Sequence, residues 1–137
     1  MGDLGRFVAA QASVYEQALP ELRRGRKQSH WMWFVFPQIA GLARSETARH
    51  YAMASVEEAR AYLAHPLLGP RLRECTRAVL EHRGASLNAI FGRVDAIKFR
   101  SSMTLFEAAA APDGRPFAEA LDAFSRDGRD PATLARL

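Results

Sequence analysis

The sequence predicts an all-α fold: a single compact helical bundle or orthogonal helical array of about six to eight helices, with no significant sheet. Three observations predict it. Apolar residues recur three and four positions apart through most of the chain. Residues that open helices, such as Ser45, Ser55, Ser86 and Asp130, stand just before those stretches. Only Ser29–Phe36, reading SHWMWFVF, has the aromatic density of a buried strand, and no second strong run exists to pair with it. A lone strand leaves its backbone groups without partners, so this segment is read as a short buried helical turn.

Taken in order, Asp3 is placed to cap a first helix carrying Leu4, Phe7, Val8, Gln11, Val14, Tyr15, Ala18 and Leu19 at helical spacing. Pro20 is expected to end or kink it, with a further turn through Leu22, and Gly25 closes the segment. Pro37 stops the aromatic turn, and Ser45 opens a short helix holding Ala48 and Tyr51. Ser55 with Glu58 forms a capping box for a helix to about His65. Pro66 and Pro70 bracket a turn before a helix with Leu72, Cys75, Thr76, Val79 and Leu80 inward, ended by Gly84. Ser86 caps a turn through Phe91 that stops at Gly92. From Val94 to about Ala111 the apolar residues run nearly all round, which marks a central helix. Pro112-Asp113-Gly114 is a turn, Pro116–Phe124 a short helix, and Asp130-Pro131 the start of a last one.

Length and composition set outer bounds. The 137 residues fit one domain, here residues 1–137, and the 48% hydrophobic and 25% charged fractions are ordinary globular values. One cysteine, Cys75, leaves no internal disulfide or cysteine-built zinc cage, which suits a reducing, cytoplasmic setting. The first fifteen residues lack the apolar core of a signal peptide, and Trp31–Phe36 is too short to span a membrane. The net charge is +4, and seventeen arginines stand against two lysines. Its one dense cluster is Leu22-Arg23-Arg24-Gly25-Arg26-Lys27, so nucleic-acid binding is a minor reading.

Two segments could carry chemistry. Lys27 to Gln38 holds both tryptophans, Trp31 and Trp33, flanked by His30 and Gln38, which could take a buried indole N–H. It is either an aromatic core with satisfied edges or a wall on which a flat ring stacks. Asp95 to Phe106 places Lys98, Ser101 and Ser102 at i, i+3 and i+4, hence on one helix face. An ammonium with hydroxyls suits a phosphate or carboxylate, though a polar stripe bonded to a neighbouring loop explains it as well. The two lysines, Lys27 and Lys98, fall one in each segment. The histidines match no metal spacing, and no phosphate-binding glycine loop is present, so no metal or cofactor is expected and no reaction is named. Cys75 is read as a small core residue.

The strings Ser29-His30-Trp31-Met32-Trp33-Phe34 with Phe36-Pro37-Gln38, and Lys98 with Ser101-Ser102-Met103-Thr104-Leu105-Phe106, carry a resemblance that runs from about Phe7 to Phe124. The chain resembles an uncharacterised bacterial family, domain of unknown function 1810, whose members often carry the label calpastatin. The resemblance implies a small all-helical fold and brings no established activity. Calpain inhibitors of that name are long, disordered repeat proteins, so inhibition is not carried over to this aromatic, non-repetitive chain. At Ala43-Arg44 the chain departs from the family pattern, in which a second glycine after Leu42 is commoner.

Three functional readings are open. The first is a small anionic or nucleotide-like, ADP-ribose-like ligand held between the two segments by Lys27, His30, Trp31, Trp33, Gln38, Lys98, Ser101 and Ser102. The second is a structural or regulatory interaction module, with those residues mutually satisfied and an apolar patch elsewhere. The third is a weak nucleic-acid binder with a continuous basic face through Arg23–Lys27.

Overall fold

Side-chain caps open four helices where the sequence places them. The computed structural model describes residues 4–125 and 128–137, so the Asp3 cap expected for the first helix lies outside the described residues. Ser45 Oγ accepts the Ala48 amide at 3.1 Å and opens α4 (Glu46–Tyr51). Ser55 Oγ accepts the Glu58 amide at 3.2 Å and opens α5 (Val56–Ala64). The return arm of that capping box reaches one residue further back, Glu58 Oε1 accepting the Ala54 amide at 2.9 Å. Ser86 and Asp130 cap α7 (Leu87–Phe91) and α10 (Pro131–Leu134) in the same way. The aromatic segment supplies the single turn α3 (Met32–Val35).

The chain breaks elsewhere than expected near its start. Helix α1 (Gly5–Gln11) ends well before Pro20, and α2 (Tyr15–Arg23) carries Pro20 inside it. The reason is tertiary. The Gln11 amide is buried and donates to the Phe34 carbonyl at 2.8 Å and to the Tyr62 hydroxyl at 3.0 Å. The chain must then turn so that Tyr15 meets α6 (Leu68–Leu80), where its hydroxyl bonds Glu74 and the Arg71 guanidinium lies 4.4 Å over its ring. Helix α6 likewise starts earlier than expected, with Pro70 in its first turn, where a missing N–H costs no helix bond. The His65 ring caps that start, Nδ1 accepting the Leu67 and Leu68 amides at 3.1 and 3.2 Å. With these splits and single turns the described residues form ten helices rather than six to eight.

Helix α8 (Arg93–Ala109) is the axis of the fold and packs against α5, α7, α9 (Phe117–Phe124) and α10. Phe99, Met103, Leu105 and Phe106 are fully enclosed. An aromatic chain runs through the core: Phe7 meets Tyr62 at 5.2 Å, Tyr62 meets Phe106 at 5.4 Å, and Phe106 meets Phe117 at 5.7 Å between centroids. The buried apolar side chains, Ala48 apart, form one cluster. The all-round apolar reading of α8 fails at its first turn, where Val94 is 66% and Ile97 65% exposed. Only one side of that turn is exposed: Ala96 is buried and Asp95 half-buried, while Val94 and Ile97 face outward.

Among the described residues there is no strand. One parallel bridge joins Ile39 to Met53, through Ala40 N–H to the Met53 carbonyl and Met53 N–H to the Gln38 carbonyl, both 2.8 Å. No described helix is long and apolar enough to cross a membrane.

Candidate functional site

Gly25 makes the turn that carries the chain from α2 toward the aromatic segment. Its φ is +76°, and a Cβ there would stand 2.9 Å from His82 Nδ1, so only glycine fits without displacement. The Lys27 amide then donates to the Ile90 carbonyl at 2.7 Å and lays the segment against α7. Glu21 on α2 fastens residues 28–31. It accepts the Gln28 amide at 2.8 Å, the Ser29 amide at 2.9 Å, the Ser29 hydroxyl at 2.6 Å and the Trp31 indole N–H at 3.0 Å. Burial raises the Glu21 carboxyl, yet these bonds outweigh it and hold the group at about 2. Trp31 is 1% exposed, and its indole partner is Glu21 rather than His30 or Gln38. Trp31 is thus the core tryptophan, while Trp33 is half-buried.

The two lysines of the chain meet on one carboxylate. Lys27 Nζ lies 2.9 Å from Asp95 Oδ2, and Lys98 Nζ lies 3.1 Å from Asp95 Oδ1. Lys27 also donates to the Ser29 carbonyl at 2.6 Å. Each ammonium stands over a tryptophan: Lys27 4.9 Å from the Trp31 centroid, Lys98 4.0 Å from that of Trp33. The Lys27 side chain is 7% exposed, so its charge depends on Asp95. Desolvation pushes the Asp95 carboxyl up, but hydrogen bonds from Lys27 and Lys98 and their charges hold it below its ordinary value. Two ammoniums on one carboxylate leave a surplus of one positive charge, on the wall of a cavity.

That cavity, of about 190 Å³, is bordered by Lys27, His30, Trp31, Trp33, Asp95 and Lys98 among others. A second cavity of about 320 Å³ is bordered by Trp33, Gln38, Lys98, Ser101 and Asp130, with apolar Leu42, Val94 and Ile97. Trp33 and Lys98 border both. Gln38 is 8% exposed, and its amide nitrogen has no partner among the described residues. The Ser101 hydroxyl is 3.1 Å from Asp130 Oδ2 and 3.2 Å from the Ile97 carbonyl. Ser102 does not share this wall. It is fully buried in the core, its hydroxyl has no partner among the described residues, and it borders neither cavity.

A protein-family model described as "Protein of unknown function (DUF1810)" matches residues 1–137. The chain belongs to this family. The DUF1810 chain is also similar to a solved structure, that of the conserved hypothetical protein Rv1873 from Mycobacterium tuberculosis. Identity is 51%, the match covers 98% of this chain and 96% of that one, and the TM-score is 0.95. A comparison with curated proteins finds no match. The solved relative agrees with the all-helical reading, and neither printed description names an activity.

Three residues that organise this DUF1810 site carry little signal in the sequence. Asp95 stands out only as an acid three positions before Lys98. Asp130 shows only as a helix cap, and Glu21 gives no signal beyond its place in α2. The basic run Arg23–Lys27 does not form one face: Lys27 is drawn inward to Asp95, and Arg23 lies 3.6 Å from Glu74. Burial pushes the Cys75 thiol up to about 12, which fits a core residue and not a nucleophile. Among the described residues no group of three or more His, Cys, Asp or Glu side chains could hold a metal ion.

Proposed function

We propose that this chain binds a small anionic, flat-ringed molecule of the nucleotide or ADP-ribose kind across the two cavities that share Trp33 and Lys98. The observation that carries the reading is the meeting of Lys27 and Lys98 on Asp95, which leaves one unbalanced positive charge between two indole rings. An anionic group answers that charge in the smaller cavity. A ring answers Trp33 in the larger one, whose wall is mostly apolar and carries the Gln38 amide as an unused polar group. The proposal takes residues 1–137 as one folding unit working in the cytoplasm, supported by the single core cluster and the lone thiol.

The test is a titration with ADP-ribose, adenosine and inorganic phosphate, followed by tryptophan fluorescence and calorimetry. ADP-ribose should bind more tightly than either fragment. Lys98→Met should weaken it about tenfold or more, the scale of one lost charge-assisted hydrogen bond. Absence of binding by all three at millimolar concentration overturns the reading. A second reading, an interaction module without chemistry, draws on the exposed Val94 and Ile97 at the rim. The Val94→Ser/Ile97→Ser double variant should keep phosphate binding under the first reading, whereas under the second its readout is loss of a protein partner.

A further inference from the structure

The outer side of α6 borders a cleft of about 640 Å³ that shares no bordering residue with the Trp33–Lys98 cavities. Four arginines reach it from separate parts of the fold: Arg60 from α5, Arg73 and Arg77 from α6, and Arg115 from the turn before α9. Two acids also border it, and both are engaged. Asp113 holds Arg115 at 2.7 Å, and Glu119 lies 3.5 Å from Arg83, outside the cleft. Arg73 donates to the Leu63 carbonyl at 3.3 Å and has no acid among the described residues. The Arg77 side chain has neither hydrogen bond nor ion pair among them. Arg60 has only an exposed Glu57 at 3.9 Å.

Arg73 and Arg77 stand four positions apart on one helix face, where like charges repel and weaken the helix. Arg77 lies in the last turn of α6, so the helix dipole accounts for part of its placement. It does not account for Arg73 or for the two arginines brought from other elements. No aromatic ring borders the cleft, so nothing there answers the flat part of a ligand. We propose that this cleft binds a small polyvalent oxyanion of the pyrophosphate or triphosphate class, gripped by the Arg73 and Arg77 guanidiniums with Arg60 and Arg115 beside them. Two forks on one helix face suit two linked phosphate groups, each taken by a pair of parallel N–H bonds. The proposal is independent of the ligand reading at Trp33.

The experiment is calorimetric titration of the whole chain with inorganic triphosphate, with sulfate as the comparison ion. Triphosphate should bind well above sulfate. Arg73→Gln/Arg77→Gln should weaken it about tenfold or more. Arg73→Lys/Arg77→Lys, which keeps charge and loses the forks, should fall between, and all these chains carry Lys98→Met as well, so that the Trp33 cavity holds no anion during the titration. Both arginines lie on the outer side of α6, and thermal melts check that each variant folds. Equal affinity for sulfate and triphosphate overturns the proposal, and so does binding that survives the glutamine pair. Full affinity in the lysine pair overturns the fork geometry, and absence of binding in the chain with Lys98→Met alone assigns the ion to the other site.

Discussion

Trp31 and Trp33 sit two positions apart and do different work. Trp31 is enclosed and holds Glu21 through its indole, whereas Trp33 borders both cavities under the Lys98 ammonium. Trp31→Ala should therefore cost about 3–5 kcal/mol, the usual range for an enclosed aromatic, and Trp33→Ala clearly less. Urea melts of the two variants check this, and equal losses would contradict the assignment. Glu21 makes a pH prediction. In the unfolded chain its carboxyl takes a proton near 4.5, in the folded chain near 2. Between those values the unfolded state binds more protons, so stability falls as pH falls. The contribution is fully present above about pH 5 and amounts to a few kcal/mol. Glu21→Gln should flatten the stability profile between pH 5 and 2 as well as lower it at neutral pH. An unchanged acid limb in that variant would assign the loss to other carboxylates. At this scale the lysines are legible by residue type alone, since an arginine-rich chain uses lysine twice. Their meeting point on Asp95 is not, because it is a contact between segments far apart in sequence.

Helix ends explain why some elements are legible in the sequence and others are not. A cap is a local bond: Ser55 to the Glu58 amide needs only three intervening steps of chain, so the sequence shows it directly. Ser45, Ser86 and Asp130 are of the same kind. The break after Gln11 is not local. It comes from a buried amide bonding Phe34 and Tyr62, and no property of residues 12–14 announces it. The exposure of Val94 and Ile97 in the first turn of α8 has the same origin, since only the placement of neighbouring helices says where the core stops. Asp130 joins both classes: it caps α10 through the Thr133 amide and also meets the Thr133 and Ser101 hydroxyls. Asp130→Ala should thus cost more than Ser55→Ala, which should cost about 1 kcal/mol as an ordinary cap. Denaturant midpoints measured side by side decide it. Equal costs would mean that the Ser101 contact, and with it the tie between α10 and the larger cavity, contributes nothing.

At the scale of the whole molecule the question is what an excess of positive charge does. Net charge alone suggests nucleic-acid affinity, which rises with the number of phosphates neutralised together. The fold works against that. It takes Lys27 out of the basic run, sets Arg23 beside Glu74, and ties Arg129 to Glu107 and Asp122. The arginines along α6 alternate with Glu74 and Glu81, so a polymer lying there meets carboxylates as well as guanidiniums. A short oxyanion fits between such acids, and a continuous phosphate backbone does not. Binding to single-stranded or duplex DNA should therefore be weak at low salt, and it should vanish near physiological ionic strength. Its salt slope should correspond to about two or three phosphates, each contributing roughly −0.9 on duplex DNA. Filter binding or fluorescence anisotropy across a salt series measures that slope. A slope corresponding to six or more phosphates (about −5) with affinity persisting at physiological salt would require a continuous basic face. In that event the α6 arginines would be its centre, and the small-oxyanion assignment of the cleft would give way to a nucleic-acid groove.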